Sequence, residues 1–157
     1  LLFPKSYWTD IVANSHKIGL DPYLVPSLLR QESEFNDGAV SRANAYGLMQ
    51  LLPSVGKANA RKQKLHNFQT SHLLNPSVNL QLGTANLKAV LDRFGGQIEY
   101  ALAAYNAGDV PVLRWIASGP YKDMQEFVES IPYSETREYV QAILRNREMY
   151  RTLYPLR

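Results

Sequence analysis

Apolar positions recur along this chain at three- and four-residue intervals, and nowhere alternate for long enough to make a convincing strand. The pattern predicts an all-α fold, or α with at most a very small sheet. A first helix should run from about Ser6 to Ile18 and stop at Gly19. Asp21-Pro22 reads as a cap followed by a helix-starting proline. The next helix carries Leu24, Val25, Leu28, Leu29 and Glu32, and Pro26 should disturb its first turn. Asn36 to Ala45 is small and polar, as loops are, and Pro53 to about Arg61 predicts a short helix. Asn75-Pro76 starts another, which reaches about Phe94, where Gly95-Gly96 ends it. Its stripe of Val78, Leu82, Ala85 and Ala89 is widened by Leu80, Leu87, Leu91 and Phe94, the mark of a central, much-buried helix. Gln97 to Ala107 is a further apolar helix closed by Gly108. Asp109 should cap a short helix through Trp115, and Asp123 with Glu126 has capping-box spacing for another. Ser134 should cap the last helix, lined on one side by Tyr139, Val140, Ile143, Leu144 and Tyr150.

Composition narrows the class without identifying it. The chain has 157 residues, 45% hydrophobic and 20% charged, which suits one globular domain. No apolar run approaches the roughly 20 residues of a membrane span. Leu1 to Lys5 is too short for a leader, so the chain is either cytosolic or a mature or trimmed fragment of an exported protein. The absence of cysteine excludes disulfides and thiol chemistry. A formal charge of +3 weakly favours anionic partners. The nearest approach to a basic cluster, Arg61-Lys62-Gln63-Lys64, reads as a solvated loop or helix end, not as a nucleic-acid site. Arg145, Arg147 and Arg151 are interleaved with Glu138 and Glu148, which suggests a salt-bridged face. His16, His66 and His72 are isolated and read as surface or capping residues. With no paired-histidine motif and no calcium loop, no metal is expected. Gly95-Gly96 follows a helix and does not open one, so no phosphate loop and no cofactor are expected. Ten tyrosines suit core filling and sugar stacking alike.

The candidate chemistry begins at Glu32. Spacing places it on one helical face with Leu28 and Leu29, close to the helix C-terminus. Burial and the negative end of the helix dipole both disfavour a charged carboxylate there, so its pKa should rise toward that of a usable general acid. The same spacing also fits a helix-end carboxylate that points to water or pairs with Arg30 or Arg42. Gly47-Leu48-Met49-Gln50 joins a glycine, free to take positive φ or to admit a ligand, to an amide that can donate and accept. It also fits a loop glycine followed by two core residues. Tyr105 and Asn106 bring polar ends to the C-terminus of a buried helix, before a glycine that can simply be a cap. Glu135 falls in the first turn of the last helix, where the dipole favours its charged form.

These four elements occur together and in order: Glu32-Ser33-Glu34-Phe35, Gly47 to Gln50, Ala104-Tyr105-Asn106-Ala107-Gly108, and Ile131 to Tyr139. Taken together they resemble the catalytic domain of lytic murein transglycosylases, most closely the soluble Slt type. The resemblance covers about Pro22 to Tyr154. It implies a lysozyme-like fold, a single catalytic domain over residues 1–157, and a place at the C-terminal part of a larger periplasmic protein whose N-terminal helical region is missing here. It also implies peptidoglycan glycan strands as substrate. In that family one glutamate, matched by Glu32, is acid and then base. The β-1,4 bond between N-acetylmuramic acid and N-acetylglucosamine is cleaved without water and leaves a 1,6-anhydro end. By the same resemblance Ser41, Gly47 and Gln50 hold the sugar beside Glu32, Met49 supports the turn, Tyr105 orients Glu32 or its substrate, and Asn106 and Glu135 complete the cleft. Ser33 and Tyr139 are partly structural.

The chain departs from the family pattern at Asp37, often proline, and at Leu52, often methionine. Both departures bear on sugar subsites and not on the acid. Two other readings stand beside this one. A goose-type lysozyme-like hydrolase would use water and need a second carboxylate, for which Glu34, Asp37 and Glu135 are all candidates. A non-catalytic peptidoglycan-binding module would not need Glu32.

Overall fold

The computed structural model describes residues 2–156, and among these it contains eight α-helices and no strand longer than an isolated bridge. The helices are α1 (Trp8–Ile18), α2 (Leu24–Glu32), α3 (Pro53–Lys62), α4 (Pro76–Arg93), α5 (Ile98–Ala107), α6 (Asp109–Ala117), α7 (Met124–Glu129) and α8 (Ser134–Leu153), with a 3-10 turn at Thr70–Leu74 that the apolar pattern does not signal. No helix is long and apolar enough to cross a membrane among the described residues.

Local chemistry accounts for most boundaries. Gly19 ends α1 at φ 69°, a conformation glycine adopts without steric cost. Pro26 falls within the first turn of α2 and does not break it, because the N–H it lacks would have had no intrahelical acceptor there. Asn75 caps α4, accepting from the Ser77 and Val78 amides at 3.0 and 3.2 Å. Asp123 caps α7 through the Glu126 amide at 2.8 Å, and the Glu126 carboxylate returns a bond to the Lys122 amide instead of the cap's own. At α6 the expectation of an Asp109 cap fails. Gly108 occupies the cap position at φ 89°, and the Asp109 carboxylate instead accepts from Arg93 at 2.9 Å. His72 acts as a cap, its Nδ1 accepting from the Gln69 amide.

The chain forms two compact units, residues 1–86 with 146–157, and residues 87–145. In the first, Ile11, Leu24, Val25, Leu28, Leu29, Leu48, Met49, Leu73, Leu80 and Tyr150 form the core. The C-terminal turns of α8 are bound to α2 there. Arg30 donates to Asn146 at 2.7 Å, Asn146 donates to the Ser27 carbonyl, and Arg147 pairs with Asp21 at 2.6 Å. Trp8, Tyr23, Tyr150 and Tyr154 form an aromatic cluster beside them. Tyr150 is fully buried, and burial pushes its phenol well above the usual range. In the second unit α5 packs on α6, and Tyr100 meets Phe127 edge-on at 4.7 Å.

Candidate active site

In the first unit, α2 ends at Glu32, and the next residue fixes where that end lies. The Ser33 amide closes the helix on the Leu29 carbonyl at 2.9 Å. Its buried hydroxyl donates to the Leu48 carbonyl at 2.7 Å, tying the helix end to the Gly47–Gln50 turn. Glu32 itself is half-buried. Immediately after it the backbone turns sharply: Glu34 and Phe35 take φ of 52° and 62°. Asn44, Gly47 and Gln50 are left-handed as well. Such conformations in non-glycine residues each cost about 1 kcal/mol or more and persist only where surrounding contacts impose them.

Those contacts are present. Tyr46 pairs with Leu51 through two backbone bonds of 2.9 and 3.0 Å and forms bridges to both Val40 and Leu51. The Gly47 amide donates to the Ala39 carbonyl at 2.7 Å. Beneath the turn lies Asn79 of α4, fully buried, which satisfies three backbone groups at once. Its Oδ1 accepts from the Met49 amide at 2.9 Å, and its Nδ2 donates to the carbonyls of Tyr46 and Leu73 at 2.9 and 2.8 Å. Asn79 is the main residue missed by reading the sequence alone. The available signal was the amide of Asn79, which with Gln81 interrupts the apolar positions Val78, Leu80 and Leu82 of a helix expected to be buried, since a buried amide must find partners.

The expected site residues of this unit fall into two groups. Gly47 and Met49 are buried, so they shape the site from beneath and do not form its surface. Gly47 sits at φ 75°, and a Cβ there would overlap the Leu73 carbonyl oxygen and the Asn79 amide. Met49 fills the space left by Gly83, where an added Cβ would press on its side chain. Gly47→Ala is therefore expected to destabilise the fold by about 3 kcal/mol, from left-handed strain plus overpacking. Urea denaturation would test this, and a change within about 1 kcal/mol would show that Leu73 and Asn79 yield easily.

Ser41 and Gln50 stand nearer the surface. Ser41 is exposed, and its hydroxyl accepts from the Ala45 amide at 3.0 Å. The Gln50 amide nitrogen is used within the loop, donating to the carbonyls of Ala39 and Gly47 at 3.2 and 3.0 Å, which fixes the orientation of the side-chain amide. The two departures also find their places. Asp37 accepts from the Tyr7 hydroxyl at 2.9 Å, and burial together with that bond raises the Tyr7 phenol pKa. Leu52 precedes α3 and is 44% exposed.

In the second unit, Asn106 and Glu135 line one cavity of about 490 Å³ with Ala107, Pro132, Tyr133 and Thr136. The Thr136 hydroxyl donates to Asn106 Oδ1 at 2.7 Å, fixing that amide against the start of α8. Tyr133, 48% exposed, stands edge-on to Trp115 at 5.0 Å. Tyr105 is half-buried one position before Asn106. Among the described residues no group of three or more histidine, aspartate or glutamate side chains could hold a metal ion.

Comparison with known proteins places this geometry among relatives. Residues 10–128 match the family model described as the transglycosylase SLT domain, and residues 130–155 match one described as the soluble lytic transglycosylase helical domain. A protein of Haemophilus influenzae named as a putative soluble lytic murein transglycosylase is 36% identical over 132 residues, which are 83% of this chain and 22% of that protein. The structure of an inactive mutant of the lytic transglycosylase Slt from Pseudomonas aeruginosa superposes with a TM-score of 0.92 at 35% identity, covering 96% of this chain and 25% of that one. The 70 kDa soluble lytic transglycosylase of Escherichia coli gives a TM-score of 0.92 at 32% identity, covering 98% of this chain and 25% of that one. The chain thus spans about a fifth to a quarter of the length of these relatives. The all-α, lysozyme-like fold expected from the sequence is the fold observed.

Proposed function

The chain belongs to the transglycosylase SLT domain family, and from that premise we propose that it cleaves the β-1,4 bond between N-acetylmuramic acid and N-acetylglucosamine in peptidoglycan without consuming water. The observation that carries the reading is a carboxylate, Glu32, held half-buried at a helix C-terminus whose position Ser33 locks to the Gly47–Gln50 turn. Partial burial and the helix end both work against the ionised form, which suits a proton donor. In the reaction proposed, the Glu32 proton passes to the glycosidic oxygen as the bond to C1 breaks, and the departing N-acetylglucosamine gains a hydroxyl. The oxygen of the muramic N-acetyl group bonds to C1 and takes up the developing positive charge. Glu32, now a carboxylate, removes the proton of the muramic C6 hydroxyl. O6 then displaces the acetamido oxygen from C1, which closes the 1,6-anhydro ring and restores the acid.

One carboxylate suffices because the substrate supplies its own nucleophile. The Pseudomonas relative, whose solved form is a glutamate-to-glutamine variant described as inactive, accords with a single essential carboxylate. By this reading Ser41 and Gln50 contact the sugar, while Gly47 and Met49 hold the turn. Asn106 and Glu135 bind the glycan or its peptide at the cavity they line, and Tyr105 orients the substrate. The protein acts in the periplasm, as the catalytic portion beside a helical region of the kind its relatives carry.

Mass spectrometry of digested peptidoglycan tests the proposal. Fragments lighter by one water than hydrolysis products are the expected result. Reducing-end products would mean a hydrolase and a search for its water-activating base. Absence of any product would indicate a binding module.

A further inference from the structure

No aspartate or glutamate occurs between Asp37 and Asp92, while Arg42, Lys57, Arg61, Lys62, Lys64 and Lys88 all fall within that interval. The positive charge of the chain is therefore concentrated, and α3 presents much of it. Lys57 and Arg61 are four residues apart on one helical face, and Lys64 follows in the next turn, its amide bonded to the Arg61 carbonyl at 3.1 Å. All three are exposed. Together with His66 they rim a cavity of about 360 Å³, backed by the buried Ala60 and by Phe68. Its frame is fixed: Gln81 donates to Gln63 Oε1 at 2.8 Å, Gln63 donates back to the Gln81 carbonyl, and Phe68 meets His72 edge-on.

The ion pairs among the described residues involve Lys88, Arg93, Arg147 and Arg151, and none uses a cation of α3. Complementing the helix dipole accounts for Arg61 and Lys62 in the last turn. It does not account for Lys57, for Lys64 beyond the helix end, or for the lack of any acid in this stretch of chain. A surface of this kind is complementary to an anion.

The chemistry discriminates among anions. The amides of Gln63, Lys64 and Leu65 are all committed to carbonyls of Asn59, Arg61 and Ala60, so no nest of free N–H groups is offered to a phosphate. The exposed residues of α3 are Ser54, Lys57, Ala58, Arg61 and Lys62, which include no large apolar group to anchor in a lipid surface. Two lysine point charges and one arginine fork, set apart beside an apolar wall, suit separate carboxylates on a short peptide.

Resting on the peptidoglycan reading above, we propose that Lys57, Arg61 and Lys64, with the cavity they rim, form a second binding site, which takes the free carboxylates of peptidoglycan peptide side chains. This site holds the protein on its polymer and leaves the bond-breaking step to Glu32.

The test is co-sedimentation with intact peptidoglycan sacculi, with Glu32→Gln in every protein so that the polymer survives. Adding Lys57→Gln, Arg61→Gln and Lys64→Gln together is expected to weaken binding about tenfold at low salt, with the difference shrinking as ionic strength rises. Lys17→Gln, Lys122→Gln and Arg145→Gln, which remove the same charge elsewhere, should leave binding near the parent value. With Glu32 intact, the α3 triple variant should turn over peptide-free glycan strands at the parent rate. Binding within about twofold of the parent would overturn the proposal. So would equal weakening by the control triple, unchanged binding to sacculi whose carboxylates have been amidated, or stronger capture by phosphatidylglycerol vesicles than by sacculi. If binding follows the α3 residues while Glu32-intact protein releases nothing from any glycan, the catalytic reading fails and the α3 site stands. Anhydro products with no dependence of binding on α3 would uphold the catalytic reading and overturn the α3 site.

Discussion

Glu32→Gln is expected to lower turnover of peptidoglycan by about 10³-fold while leaving the fold unchanged. Glutamine keeps the size of the side chain and both polar atoms, so the half-buried end of α2 loses little packing and the Ser33–Leu48 tie is untouched. It cannot deliver a proton to the glycosidic oxygen, and it cannot take one from the muramic C6 hydroxyl. Both halves of the proposed reaction fail together, so no intermediate should accumulate. The measurement is anhydro-product formation by mass spectrometry, paired with a thermal melt to show an intact fold. A variant retaining near-normal rate would remove Glu32 from the mechanism. A variant that is inactive and also markedly less stable would assign the carboxylate a structural task as well.

The second large effect is expected at Asn79. Asn79→Ala removes the partners of the Met49 amide and of the Tyr46 and Leu73 carbonyls, in a place that water reaches poorly. Leaving a buried polar group unsatisfied costs about 1–3 kcal/mol. Three such groups, with some relaxation, give about 4 kcal/mol, or a fall in melting temperature on the order of 10 °C for a chain of this length. Asn79→Asp is informative beside it. It keeps an acceptor for the Met49 amide but replaces the two donors with a buried charge that faces carbonyls, so it should be no milder. Activity should fall in both variants even well below their melting temperatures, because the Gly47–Gln50 turn loses its support. If Asn79→Ala unfolds within about 1 kcal/mol of the parent, the turn is held chiefly by Tyr46–Leu51 pairing and the Ser33 bond, and Asn79 is incidental.

Local physics made much of the molecule legible from residue order. Most of the helices follow from apolar spacing, α6 and α7 from the start signals at Asp109 and Asp123, and several ends from Gly19, Asn75, Gly95-Gly96 and Gly108, because caps and turns are settled within a few residues. The same locality put Glu32 at the end of α2 and Glu135 in the first turn of α8. The ordered motifs from Glu32 to Tyr139 resemble the family that the match over residues 10–128 then shows.

Contacts between distant residues were not legible. Asn79 reaches Met49 across 30 positions and Tyr46 across 33, and nothing in either neighbourhood announces the partner. Gly47 could be marked as free to turn, but the reason no other residue fits is the Leu73 carbonyl and the Asn79 amide beside it. Gln50 could be marked as donor and acceptor, yet only the fold decides that its donors serve Ala39 and Gly47. The basic run at Arg61-Lys62-Gln63-Lys64 became a surface with a direction only when Lys57, His66 and Phe68 were brought around one cavity. Sequence by itself determined the elements and the chemistry that each carries, because hydrogen bonds within a turn and apolar periodicity depend on near neighbours. Tertiary structure alone decided which polar groups support the site and which remain for a ligand, because a buried donor takes whatever acceptor packing brings within reach.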